Sequence, residues 1–179
     1  MKTLTVFLCT VTAFSSAPLL AVADMPLGTS MAGGDPFAGA VARTVKAMID
    51  YTRWPSRKDL LVLCVAGQAQ HASQLGGWRT IAGQDVERRD IAPLGSAAAG
   101  CDVVYIGTMP IAAQRGLTTA VRGKGVLTIA ESDQSNASEA MFALDYLPQS
   151  LSFRLNIDAV SRSGLKVDPR VLRISRASY

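Results

Sequence analysis

Leu60-Leu61-Val62-Leu63-Cys64-Val65-Ala66-Gly67 is an unbroken apolar run closed by a glycine. A run of this length without polar alternation suits a strand covered on both faces, as in a parallel sheet. A second run, Cys101-Asp102-Val103-Val104-Tyr105-Ile106-Gly107, has the same make-up and the same closing glycine. The two read as neighbouring strands of one sheet, with Cys64 and Cys101 placed to tie them covalently. Residues 126–130 (Val-Leu-Thr-Ile-Ala) give a third buried strand.

The intervening segments read as crossovers. Residues 68–75 are expected to turn back as a short helix stopped by Gly76-Gly77. Residues 86–91 form a strand whose charges, Glu87, Arg88, Arg89 and Asp90, suit a sheet edge. Ser96 to Ala99 allow a helical turn, and Pro110 heads a helix that runs to Val121 and ends by Gly123. Such strand, helix, strand repeats imply right-handed parallel crossovers. Upstream, Asp35-Pro36 supplies an N-cap and a first-turn proline. Val41, Val45, Met48 and Ile49 then follow at helical spacing until Trp54-Pro55 stops the helix.

Downstream the pattern changes. Residues 140–146 and 151–157 are strands joined at hairpin spacing, and Leu151, Phe153, Leu155 and Ile157 alternate with polar residues. Asp158 is expected to cap a short helix stopped by Gly164, and Asp168-Pro169 repeats the signal before Val171, Leu172 and Ile174. The fold class is therefore α/β: a Rossmann-like open sheet, mostly parallel, with an antiparallel hairpin in the C-terminal part and helices on both faces.

Residues 1–23 read as a removable signal peptide. Lys2 supplies the positive charge, residues 4–14 the apolar stretch and Ala21-Val22-Ala23 the small-residue cleavage pattern, so the cut falls before Asp24. Thr5, Thr10, Thr12, Ser15, Ser16 and Pro18 break the stretch and leave it short of a membrane span. Residues 24–37 are a flexible leader and 38–179 a single domain. Removal of Lys2 takes the net charge from +4 to +3, and the basic residues are scattered, so no nucleic-acid footprint results. Cys9 leaves with the signal, and in an oxidising compartment the remaining pair, Cys64 and Cys101, favours a disulfide over two buried thiols. After signal removal no segment is long and apolar enough to span a membrane.

These residues resemble a known family. Lys46-x7-Trp54-Pro55, Leu63-Cys64-Val65-x-Gly67, Cys101 to Gly107, Val126-Leu127-Thr128-Ile129, Phe153-Arg154-Leu155-Asn156-Ile157 and Ala159 through Gly164-Leu165-Lys166-Val167 to Val171-Leu172 look, in order and spacing, like the YfiR family of periplasmic proteins. The resemblance implies a compact, often dimeric α/β domain that works by binding proteins. It implies, as partners, the periplasmic domain of a membrane diguanylate cyclase, which the protein represses, and an outer-membrane lipoprotein that relieves the repression. Cys64 and Cys101 match the family's more widespread disulfide. The second cysteine pair of some members is missing here. Where members commonly carry paired glycines before the fifth strand, this chain has Ser138-Glu139-Ala140.

Catalytic motifs are weak by comparison. His71 is the only histidine, and a triad or zinc site would need suitable companions for it, so a surface or capping role is the expectation. Gly123-Lys124-Gly125 lacks the rest of a P-loop, and no dinucleotide fingerprint follows Gly67. No catalytic residue, metal or cofactor is expected. Glu131 and Asp133, just beyond a strand's carboxyl end, are the candidate ligand loop of an alternative reading, a periplasmic small-ligand-binding module; a solvated loop is the simpler expectation for them. Asn136-Ala137-Ser138 matches a glycosylation sequon. Candidate partner-binding residues are Tyr51 and Trp54 at the end of the first helix, Arg154 on the polar face of its strand, and Leu165 and Val167, for all of which packing or solvation is the competing role.

Overall fold

The computed structural model describes residues 34–148 and 150–176, and a compact unit begins at Asp35. The signal peptide, its cut before Asp24 and all of the leader before Gly34 lie outside the described residues. In chain order the elements are α1 (Ala38–Asp50), β1 (Thr52–Arg53), β2 (Leu60–Ala66), β3 (Trp78–Arg79), β4 (Asp85–Ile91), a 3-10 turn (Gly95–Ala98), β5 (Val103–Ile106) and α2 (Ile111–Val121). After these come β6 (Leu127–Ala130), β7 (Phe142–Leu147), β8 (Ser150–Leu155), α3 (Ile157–Ser161), β9 (Lys166–Val167) and a closing 3-10 helix (Pro169–Arg176).

Seven strands form one mixed sheet in the order β3-β4-β2-β5-β6-β7-β8. Its centre is parallel, because β2 pairs with β4 and β5, β5 with β6, and β6 with β7 in that sense. Both margins are antiparallel, β3 on β4 at one side and β8 on β7 at the other. The parallel centre and the C-terminal hairpin agree with the expectation, and the antiparallel β3 at the other margin makes the whole a mixed sheet. β4 is not the outermost strand, but β3 covers only its first two residues, so its charged stretch still lies near the margin.

Because side chains alternate along a strand, each apolar run serves two cores. Leu61, Leu63 and Val65 of β2, with Val103, Tyr105, Leu127 and Ile129, meet Val41, Val45, Met48 and Ile49 of α1. On the opposite face Cys64, Ala66, Val104 and Ile106 meet Leu117 and Val121 of α2. Burying each such Leu, Ile or Val side chain contributes about 1.5–3 kcal/mol. The α2 face contains the disulfide: Cys64 is in register with Val104, Cys101 lies just ahead of β5, and the two Cα atoms are 5.8 Å apart.

Three local expectations are overturned. Residues 68–75 form a loop, not a helix, because Gln68 bridges to Thr108 and the next free amides turn toward Glu131. The last short helix is capped by Asn156, not Asp158: Asn156 Oδ1 accepts the Ala159 N–H at 3.0 Å, and Asp158 sits inside the first turn. The first helix also starts later than expected. Asp35 Oδ1 accepts the Phe37 N–H at 2.9 Å, and this turn delivers the chain into α1 at Ala38.

Candidate partner-binding surface

In open α/β sheets, ligands bind in the crevice outside the carboxyl ends of the strands, where neighbouring loops part. Here the loops after β2 and β5 do not part. Gln68 N–H donates to Thr108 O at 3.1 Å and Thr108 N–H to Gln68 O at 2.8 Å. Gly107 lies so close to the facing loop that a Cβ on it would stand 2.5 Å from the Ala69 nitrogen. Main chain therefore fills the position a ligand would need.

Glu131 and Asp133, expected in a solvated loop, are buried. Glu131 is 3% exposed; Oε2 accepts the Gln70 N–H at 2.8 Å, and Oε1 accepts the His71 N–H at 2.7 Å and the Tyr105 hydroxyl at 3.0 Å. Burial pushes the Tyr105 phenol well above its ordinary range, and the neighbouring Tyr146 and Glu131 push it the same way. Asp133 accepts the N–H groups of Ala137 and Ser138, both at 2.9 Å, and the Ser138 hydroxyl. Both carboxylates thus satisfy their own chain, as buried polar groups generally must. His71 Nδ1 lies 2.8 Å from Asp35 Oδ1, and its ring packs against Phe37 and Tyr146.

Four of the five predicted partner-binding residues come together. β1 and β9 form a separate antiparallel ribbon, with Thr52 opposite Val167 and Arg53 opposite Lys166. The Asp168 N–H extends it by donating to Tyr51 O at 2.9 Å. Tyr51 and Trp54 flank β1, Leu165 precedes β9, and Val167 is the second residue of β9. Leu165 is buried, and Tyr51, Trp54 and Val167 are half-buried against the α1 core, so part of each serves packing. Arg170 stands over the Tyr51 ring at 5.9 Å while its guanidinium grips the Asp168 carboxylate. Arg53 carries no sequence signal of its own, whereas Lys166 sits in Gly164-Leu165-Lys166-Val167, where alternation with Leu165 and Val167 turns the lysine outward.

Arg154 is elsewhere. On β8 it holds Asp145 of β7 through two bonds, at 2.8 and 3.2 Å, and its remaining N–H groups donate to Gln134 O, Asn136 Oδ1 and Asp133 O. Hydrogen bonding to Asp145 raises the guanidinium pKa, and the residue clasps the loop after β6 onto the hairpin. Among the described residues no three or more His, Cys, Asp or Glu side chains converge as a metal site, and no helix is long and apolar enough to cross a membrane.

In Ser138-Glu139-Ala140, Glu139 has φ +57°, the left-handed region that glycine favours. Arg122 ion-pairs with its side chain. The YfiR/HmsC-like family matches residues 39–176, from the start of α1 through the ribbon to the last 3-10 helix. The chain belongs to the YfiR/HmsC-like family.

Proposed function

We infer that this chain is a periplasmic regulatory protein that binds and represses an inner-membrane diguanylate cyclase, lowering cyclic-di-GMP signalling. One structural observation carries the choice of a binding protein over a small-ligand module: main chain from Gln68, Ala69 and Thr108 occupies the crevice outside β2 and β5. With Glu131 and Asp133 engaged by their own loops, recognition falls to the outer surface. Family membership supports a diguanylate cyclase as the partner class; to this the reading adds the cyclase's periplasmic domain as the contact, an outer-membrane lipoprotein as the releasing partner and a homodimer as the working form. The Rossmann-like parallel centre acts as scaffold, and the contact residues are Tyr51, Trp54, Leu165 and Val167 around the ribbon.

Repression needs only tighter binding to the cyclase's inactive arrangement; about 1.4 kcal/mol of preference shifts that equilibrium tenfold. Deleting the gene raises cellular cyclic-di-GMP, and restoring it lowers the level again. An unchanged level in cells that express a membrane diguanylate cyclase overturns this reading.

A further inference from the structure

Arg53 and Lys166 stand directly opposite each other across the two-stranded ribbon, and both are exposed. Like charges at directly opposed positions repel and weaken a strand pair. The ribbon has only two such positions, so one half of its pairing is unfavourable by charge. Among the described residues neither cation has an ion pair within 4.0 Å, although the Asp168 carboxylate feels the charge of Arg53. Asp168 is held by Arg170, and Asp50 accepts the Ile81 N–H at 2.7 Å and faces Lys46.

Beside the ribbon lies an open groove of about 310 Å³ whose lining includes Tyr51, Arg53, Ile81, Asp168 and Arg170. Ile81 is 88% exposed, yet its backbone is fixed, by Asp50 on one side and by the turn from Thr80 to Gln84 on the other. A large apolar side chain on a pinned turn, next to an aromatic ring and two arginines, has the composition of an interface anchor.

We propose that the outer face of the ribbon and this groove dock an acidic segment of a partner protein, with carboxylates on Arg53 and Lys166 and an apolar side chain over Ile81 and Tyr51. The inference rests on the reading of the chain as a protein-binding regulator and names the chemistry of the segment it binds. Opposed cations that cost stability in the free protein become favourable once a carboxylate lies between them. Charge complementarity therefore selects the occupant.

The test uses the mature chain, a fluorescent synthetic peptide of Glu and Asp around a central Leu, and phosphatidylglycerol vesicles. The peptide binds at low salt and is released as salt rises. Lys166→Glu weakens it about tenfold or more while melting no lower than the parent, because Arg53 then faces a carboxylate. Arg53→Gln repeats the loss of affinity without adding an acid, and Ile81→Ser weakens binding with the salt dependence retained. Equal peptide affinity in parent and Lys166→Glu overturns the proposal, as does binding of vesicles without binding of peptide. If gene deletion leaves cyclic-di-GMP unchanged while the peptide still binds, the cyclase reading falls and the docking face stands. If deletion raises cyclic-di-GMP and the peptide does not bind, the docking face alone falls.

Discussion

The Glu131 carboxylate lies 2.7 Å from the backbone nitrogen of His71, a residue sixty positions earlier in the chain. With the Gln70 N–H and the Tyr105 hydroxyl, that amide makes three donors on one buried acceptor. Glu131→Gln replaces one acceptor oxygen by a donor and leaves an N–H facing an N–H or an O–H. Stability is expected to fall by about 2–4 kcal/mol, because a buried donor without a partner carries its full desolvation cost. Urea denaturation measures the loss, and hydrogen exchange locates it at the Gln70 and His71 amides. Unchanged protection of both amides would count against a clamp at this place.

The Cys64–Cys101 disulfide closes a loop of 37 residues in sequence and is buried on the α2 face. Chain-entropy arguments give such a link roughly 4 kcal/mol of stabilisation, through the unfolded state it restricts. Cys64→Ser combined with Cys101→Ser should lower stability by that order and weaken repression with it. The denatured, unreduced mature protein should show no free thiol; two thiols per chain would sink the prediction.

The buried strands were legible because apolar runs such as residues 60–66 and 103–106 report burial directly, and the hairpin because Leu151 and Phe153 alternate with polar residues. Loop 68–75 was not legible. Its amides are captured by a carboxylate far along the chain, so local helix propensity lost to a tertiary contact. Glu131 and Asp133 look solvated for the same reason, since their partners are backbone groups that carry no sequence signature. At the α3 start, Asn156 and Asp158 are both able caps two residues apart, and only the backbone turn chooses between them. The ribbon strands β1 and β9 have two residues each, too few for any periodicity. Their pairing brings Tyr51, Trp54, Leu165 and Val167 into one place, which no local pattern in either segment reports.

Glu139 occupies the left-handed region at φ +57°, where a side chain is strained by about 1 kcal/mol or more and glycine is not. Its compensation is a half-exposed ion pair with Arg122, of a kind that contributes only about 0–1 kcal/mol. Glu139→Gly and Glu139→Ala both remove the pair, but only the glycine relieves the backbone. The glycine variant is expected to be more stable than the alanine variant by about 1 kcal/mol, less the extra freedom glycine gives the unfolded chain. Paired thermal melts decide it, and an alanine variant as stable as the glycine variant would remove strain from the account.

Asp168 and Arg170 give a pH-dependent readout of the ribbon. The Arg170 guanidinium, and after it the Arg170 backbone N–H, hydrogen-bond the Asp168 carboxylate and hold its pKa at about 2, below the ordinary 3.8. A carboxylate depressed on folding adds stability above its unfolded pKa and loses that contribution as pH falls through the folded one. The contribution is therefore complete above the ordinary carboxylate range and gone below pH of about 2. Arg170→Ala should move the Asp168 midpoint up toward 3.8 in a carboxyl-carbon NMR titration. The gap in melting temperature between parent and variant should then narrow as pH drops through this window, and the same midpoint in both proteins would show that Arg170 does not set it.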